Sequence, residues 1–213
     1  MRKSLVVVGA ALLFSMTAGA WNYQQWEAYA GYDFIIHNTD SPFVPNFNLN
    51  GGNGQIAYNF NKWFSGVIDA GAATKGSIGG YNVNATLAYV TAGPRVTFNH
   101  TGRFQPYVQA LFGGAYLQAT TPVTPFGIFV LPGLGASPFL PNSSRVTNGE
   151  WGFAMLVGGG VDYKVSKHFY IRPAEASYFL THMSNPWVPF SSSTTRNNFR
   201  YSGGIKVTWG EPK

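Results

Sequence analysis

Apolar and polar side chains alternate along most of the chain, in segments of about ten residues. In the last segment, 199–209, Phe199 and Val207 share one parity while Arg200 and Lys206 share the other. A period of two residues is the pattern of a β-strand with one face in each environment. The same alternation predicts strands at 26–34, 54–60 and 90–98, and, less regularly, at about 63–72, 104–118, 151–164 and 169–181.

The connections between these eight segments alternate in length. Three are short (61–62, 99–103 and 165–167), and four are long (35–53, 73–86, 119–150 and 182–198). This arrangement predicts an all-β fold, an eight-stranded antiparallel up-and-down transmembrane β-barrel with short periplasmic turns and long extracellular loops. We assign the barrel domain to residues 21–213.

A soluble secreted eight-stranded barrel that binds a ligand inside is the competing interpretation, and composition argues against it. Charged residues are only 10% of the chain, whereas a soluble barrel needs a charged exterior. Aromatic residues near the predicted strand ends are typical of the girdles of a membrane barrel; they are Tyr58, Phe60, Phe98, Tyr163 and Trp209.

The first twenty residues predict export. Arg2 and Lys3 precede an apolar run, and Ala18-Gly19-Ala20 supplies small residues for cleavage before Trp21, so 1–20 is interpreted as a signal peptide. The formal net charge falls from +6 to +4 when this leader is removed, which is weak support for nucleic-acid binding. The chain has no Cys, which excludes disulfides, Cys-ligated zinc and thiol nucleophiles.

The polar parity of the strands predicts a charged barrel interior. Side chains fill a barrel of eight strands, and charges buried there must pair. The residues expected in this network are Glu27, Asp33, Asp69, Arg95, Asp162, Arg200 and Lys206. Arg172 and Glu175 have opposite parity, so both can point inward only if the strand contains a bulge, for which Pro173 is a candidate.

Several runs of Gly and aromatic residues resemble the OmpA-like outer-membrane β-barrel family. They are 92–96, 106–114, 158–162, 168–178 and 198–204. The resemblance covers about 26–209 and implies a small monomeric outer-membrane barrel with a structural, adhesive or unassigned role. Such barrels often end on an aromatic residue that the assembly machinery reads; here Trp209 is followed by four further residues. No peptidoglycan-binding domain follows in this sequence.

His182, Ser184 and Asn185 form the one candidate catalytic group. A Ser activated by a nearby His could attack an ester, with Asn185 stabilising the oxyanion. The His-x-Ser-Asn pattern resembles lipid A 3-O-deacylases, in which an acid about a dozen residues after the Ser orients the His. Here 193–198 holds no carboxylate, and Glu150 is the remaining substitute. A polar loop start is the alternative interpretation, and we predict no enzymatic site.

The third long loop, 119–150, is rich in apolar residues, which indicates either an interaction surface or a lid over the barrel mouth. The candidate contact residues are Phe126, Phe129, Leu131 and Phe139, with Trp187 from the fourth loop. The expected partners are outer-membrane lipid and lipopolysaccharide, the barrel-assembly machinery, and an extracellular partner through this loop. The four His lack metal-ligand spacing, so no metal, no cofactor and no nucleic-acid partner is expected.

Overall fold

A computed structural model describes residues 24–39, 46–76, 84–99, 102–123, 144–183 and 194–210. Eight β-strands form one closed barrel in which each strand pairs antiparallel with the next and β1 closes the ring against β8. The strands are β1 (Trp26–His37), β2 (Phe47–Asn59), β3 (Phe64–Lys75), β4 (Asn84–Thr97), β5 (Phe104–Val123), β6 (Ser144–Lys164), β7 (Phe169–Met183) and β8 (Thr194–Trp209). The predicted fold class is confirmed.

The strands run further toward the long-loop end than the sequence predicts. β2 begins at Phe47 and not at Gly54, and β8 begins at Thr194 and not at Phe199. β5 and β6 stay paired as far as Val123 and Ser144, so the predicted third loop of 119–150 was too long at both ends. The short turns, in contrast, fall within one or two residues of the predicted positions.

Along the barrel axis, the inward-facing and outward-facing side chains exchange polarity. This reversal explains why the strand ends near the long loops were predicted wrongly. Near the short turns, apolar side chains point outward and polar ones point into the barrel. Near the long loops, Leu49 and Leu87 are fully buried in the interior, whereas their neighbours Asn50 and Thr86 have the outward parity. The outer ends of the strands therefore have the polarity of a water-soluble barrel.

The outer surface between these ends is that of a membrane barrel. Ile56, Ile68 and Val90 are 56–57% exposed, and between the two aromatic belts no described outward-facing residue carries a charge. Outward-facing apolar side chains stabilise a barrel only where lipid covers them. Among the described residues, no helix is long and apolar enough to cross a membrane.

Two aromatic belts border this apolar band. The periplasmic belt contains Trp26, Tyr58, Phe60, Trp63, Phe98, Phe104, Tyr163 and Trp209, and the extracellular belt contains Tyr32, Tyr116, Trp151, Tyr178, Phe199 and Tyr201. Phe104 and Tyr116 mark the two levels on β5. Their separation of twelve residues, at about 3.3 Å each and a tilt of about 40°, gives a band about 30 Å tall. This height matches the hydrocarbon core of a bilayer.

A bulge in β7 lets two charged residues of opposite parity share the interior. Arg172 pairs with Gly204 of β8 and Glu175 pairs with Ser202, so β7 has one residue more than its partner in this interval. The pairing with β6 shifts at the same level. Pro173 and Ala174 are both exposed on the outside, as expected for a bulge that accommodates a proline without an amide hydrogen.

Candidate functional site

The lower half of the barrel interior holds a network of ion pairs and hydrogen bonds. All seven predicted residues (Glu27, Asp33, Asp69, Arg95, Asp162, Arg200 and Lys206) point into it, joined by Arg172 and Glu175. Alternation in the strands positions the first seven, and the β7 bulge adds the last two. The sequence pattern left those two open because it does not show where a strand contains an extra residue.

Arg200 connects opposite walls of the interior from its position on β8. Its Nη1 lies 2.7 Å from Asp69 Oδ2 on β3 and 2.7 Å from the Tyr89 hydroxyl on β4. Its Nη2 donates to Glu175 on β7. The guanidinium is fully buried, so these partners replace the water that a charged group would otherwise require.

Arg172 occupies the centre of the network. Its Nε lies 2.7 Å from Asp162 Oδ1, and its Nη1 lies 2.8 Å from Glu175 Oε2. The guanidinium carbon is 4.1 Å from the Tyr29 ring centroid and 4.6 Å from that of Tyr107, so the charged group is held between two aromatic faces.

A second cluster lies closer to the periplasmic opening. Lys206 Nζ is 2.7 Å from Asp162 Oδ2 and 3.3 Å from Glu27 Oε2. Arg95 Nη1 is 3.4 Å from the same Glu27 oxygen, and Arg95 Nε donates to Gln109 at 3.0 Å. Gln55 accepts from both Arg95 and Arg172 and thereby joins the two clusters.

Two interior tyrosines lie against glycines of the neighbouring strand. Tyr89 pairs with Gly71 and Tyr107 pairs with Gly160. A Cβ at either glycine would meet the phenol group, so these positions need glycine for space. The phenols are thereby directed at carboxylates: Tyr89 donates to Asp33, and Tyr107 donates to Glu175 at 2.5 Å.

Above this ionic layer, most of the buried interior side chains are apolar. These apolar side chains are fully or almost fully buried: Ile35, Leu49, Leu87, Leu111, Ala115, Leu117, Ala154, Leu156 and Phe179. The sequence analysis predicted a filled polar interior, but apolar side chains predominate in its upper half. Of these residues, Ile35 and Leu49 fall in a predicted loop, and those from Leu111 to Phe179 fall in predicted strands.

Near the mouth, Arg196 and Asn198 continue the inward parity of Arg200 along β8 and are buried. The sequence analysis missed them because it began β8 at Phe199. Extending the period-two pattern by three residues would have found both. Among the described residues, no group of three or more His, Asp or Glu is placed to hold a metal ion.

The candidate catalytic group is described only in part. His182 is exposed on the outside of β7, and its Nδ1 lies 2.9 Å from the Thr195 hydroxyl. Ser184 and Asn185 lie outside the described residues. Glu150 has the interior parity of β6, on the opposite side of the barrel wall from His182. The suggestion that Glu150 orients His182 is therefore wrong.

The predicted loop contacts also lie outside the described residues: Phe126, Phe129, Leu131, Phe139 and Trp187. The structure describes the hairpin that leads to the third loop. At about 3.3 Å per residue and a tilt of about 40°, the seven residues of β5 beyond Tyr116 rise about 18 Å above the extracellular belt.

The closed barrel, the uncharged outer band and the filled interior together define a small outer-membrane β-barrel protein. The sequence matches the outer membrane protein beta-barrel domain over residues 8–199. The chain belongs to this family, which places it in the bacterial outer membrane and confirms the family expected from the resemblance.

Solved structures with the same fold have little sequence in common with the chain. The Ail attachment invasion locus protein of Yersinia pestis has a TM-score of 0.53 at 16% identity, covering 87% of this chain and 99% of that one. Neisserial surface protein A has a TM-score of 0.53 at 14% identity, covering 86% and 97%. A comparison with curated protein sequences gave no match.

Proposed function

We propose that this protein is a structural and surface-interaction barrel with a closed lumen and no enzymatic site. The observation that carries the proposal is the interior, where an ionic layer lies under an apolar layer. Arg200 and Gln55 bridge strands across the lumen in the lower layer, and fully buried aliphatic side chains occupy the upper layer. Small hydrophilic solutes would have to break the first layer and desolvate in the second.

In this proposal, the surface interactions of the protein are made at the extracellular end of the barrel. The paired strands β5 and β6 extend well above the extracellular belt, and the sequence that joins them contains Phe126, Phe129, Leu131 and Phe139. An apolar segment between these strands favours contact with an extracellular partner or with the lipopolysaccharide layer. The protein acts as a monomer that the barrel-assembly machinery inserts.

Two measurements test the closed lumen and the loop separately. Purified protein in planar bilayers is expected to give no stepwise conductance, with a general porin as the positive control. Cells that carry Phe126→Ser, Phe129→Ser and Leu131→Ser together are expected to partition less into hexadecane than wild-type cells, at equal amounts of folded barrel. Regular conductance steps would contradict the closed lumen, and unchanged partitioning would contradict the loop assignment.

The absence of an enzymatic site is tested on lipid A. Outer membranes that contain wild-type protein or Ser184→Ala are expected to give identical lipid A mass spectra. Loss of one acyl chain with the wild type alone would make the protein an esterase that uses His182 and Ser184.

A further inference from the structure

The short-turn end of the barrel carries a rim of basic side chains. This basic rim consists of Lys62 in the β2–β3 turn, Arg103 before β5, and Lys164 at the end of β6. Within the described turns and the strand residues beside them, the carboxylate nearest to the basic rim is that of Glu27, and it points into the lumen. There it is neutralised by Arg95 and Lys206, and its side chain is 13% exposed. Among the described residues of this end, the exposed charge is therefore positive.

The basic rim lies at the level of the periplasmic aromatic belt. Lys62 Nζ is 5.6 Å from the ring centroid of Trp63. Arg103 and Lys164 directly adjoin Phe104 and Tyr163, whose rings are 5.0 Å apart. Aromatic rings of this kind lie at the boundary between hydrocarbon and headgroups. Lys and Arg one residue away reach the headgroup layer by extending their aliphatic stems.

The backbone that carries the rim is held in place by hydrogen bonds between the turns. The Thr97 amide donates to the Trp63 carbonyl at 2.8 Å, and the Lys164 amide donates to the Arg103 carbonyl at 2.7 Å. The Asn61 side chain accepts from the amides of Trp63 and Phe64 at 2.8 and 2.9 Å. Binding a ligand at the rim would therefore order side chains but not the backbone, which lowers its entropic cost.

We propose that the basic rim binds anionic phospholipid headgroups of the periplasmic leaflet, of the phosphatidylglycerol class. A phosphodiester at headgroup depth supplies the negative charge that complements Lys62, Arg103 and Lys164. Carboxylates of the cell wall would also complement the charge, but they lie further from the membrane than the aromatic belt that holds these side chains. The lipid is therefore the occupant that the geometry favours.

The test uses the full barrel in nanodiscs that contain equal amounts of phosphatidylcholine and phosphatidylglycerol. Lipids that remain bound are counted by native mass spectrometry. The triple variant Lys62→Gln, Arg103→Gln, Lys164→Gln removes the rim charge. Lys75→Gln, which removes one charge at the opposite end of β3, is the matched control for Lys62→Gln. Heat-dependent gel mobility verifies that each variant is folded.

We expect wild-type protein and Lys75→Gln to retain phosphatidylglycerol preferentially. Lys62→Gln should retain less, and the triple variant should show no preference. At low salt the loss should approach about five-fold for each charge removed, and it should shrink as salt is added. Equal retention of the two lipids by wild type, or an unchanged preference in the triple variant, would overturn the proposal. So would displacement of the lipid by soluble glycerophosphate at low concentration, or rim-dependent capture of cell-wall fragments without a lipid preference.

Discussion

Arg172 and Glu175 are three residues apart on one strand, yet both side chains point into the barrel, with Arg172 Nη1 and Glu175 Oε2 2.8 Å apart. A regular strand would place them on opposite faces. The extra residue in β7 removes this conflict, because Pro173 and Ala174 both face outward. The bulge is thus the local backbone feature that brings the two residues together in the ionic layer.

Deletion of one residue from the bulge is expected to be tolerated. Without Ala174, the segment from Arg172 through Pro173 to Glu175 alternates regularly, and both charged residues keep their inward parity. Deletion of Ala176 instead turns Ser177, Phe179 and Thr181 toward lipid. The amount of heat-modifiable barrel in outer-membrane fractions should therefore be near wild type for the first deletion and very low for the second. Equal yields would contradict the proposed register.

Removal of the Glu175 carboxylate should strongly destabilise the barrel. Glu175→Gln leaves Arg172 and Arg200 without a shared negative partner in a fully buried position. Loss of one member of a buried ion pair costs about 3–5 kcal/mol. Urea unfolding of the protein in lipid vesicles measures this free energy. Glu27→Gln is the matched control, since Glu27 lies near the opening, and its cost should be clearly smaller.

Added volume at Gly71 should disturb the network without changing any charge. A Cβ at this position overlaps the phenol of Tyr89, which donates to Asp33. We expect Gly71→Ala to lower the free energy of unfolding by about 1–3 kcal/mol. Gly54→Ala, where the nearest atom would be 3.6 Å from the new Cβ, should be close to neutral. If both variants have equal stability, Tyr89 does not require the space above Gly71.

A charge on the lipid-facing surface should be costly only within the apolar band. Ile68 is 57% exposed in the middle of β3, and Ile68→Arg is expected to destabilise the vesicle-inserted barrel by about 2–4 kcal/mol. Thr74→Arg, on the same face but near the extracellular end, should cost about 1 kcal/mol or less. The comparison separates lipid from water as the medium around β3. A neutral effect at Ile68 would indicate that water surrounds it.

The sequence predicted the barrel because each strand is amphipathic within the bilayer, and Ile205 and Lys206 show the two environments one residue apart. It did not predict the outer ends of the strands. There, Leu49 faces inward and Asn50 faces outward. Apolar and polar side chains still alternate, but the apolar ones now point into the barrel, and alternation alone does not reveal which face meets water. The structure places the seven charged residues that were expected inside the barrel in the ionic layer. Within the bilayer, the outward face of a strand meets hydrocarbon, so a charged side chain there indicates the inward face.

The remaining differences come from features that a period of two does not encode. The inward position of Glu175 depends on one unpaired residue, and Glu150 and His182 are separated by the wall of the barrel although both lie near the same end of their strands. Which residues of a regular strand share a face was predictable from its alternation. Which residues of two strands lie side by side depends on the pairing register, and the sequence pattern of a single strand does not contain it.

The reversal of polarity along the strands also fixes the depth of the protein in its membrane. Displacement toward the cell exterior would move isoleucines of the outer band into water, and displacement the other way would draw Asn50 and Thr86 into hydrocarbon. Both movements are unfavourable, so the barrel has one resting height, and a bilayer of different thickness must stretch or thin locally to meet it. The protein should therefore accumulate in regions of the membrane whose hydrocarbon thickness already matches its apolar band.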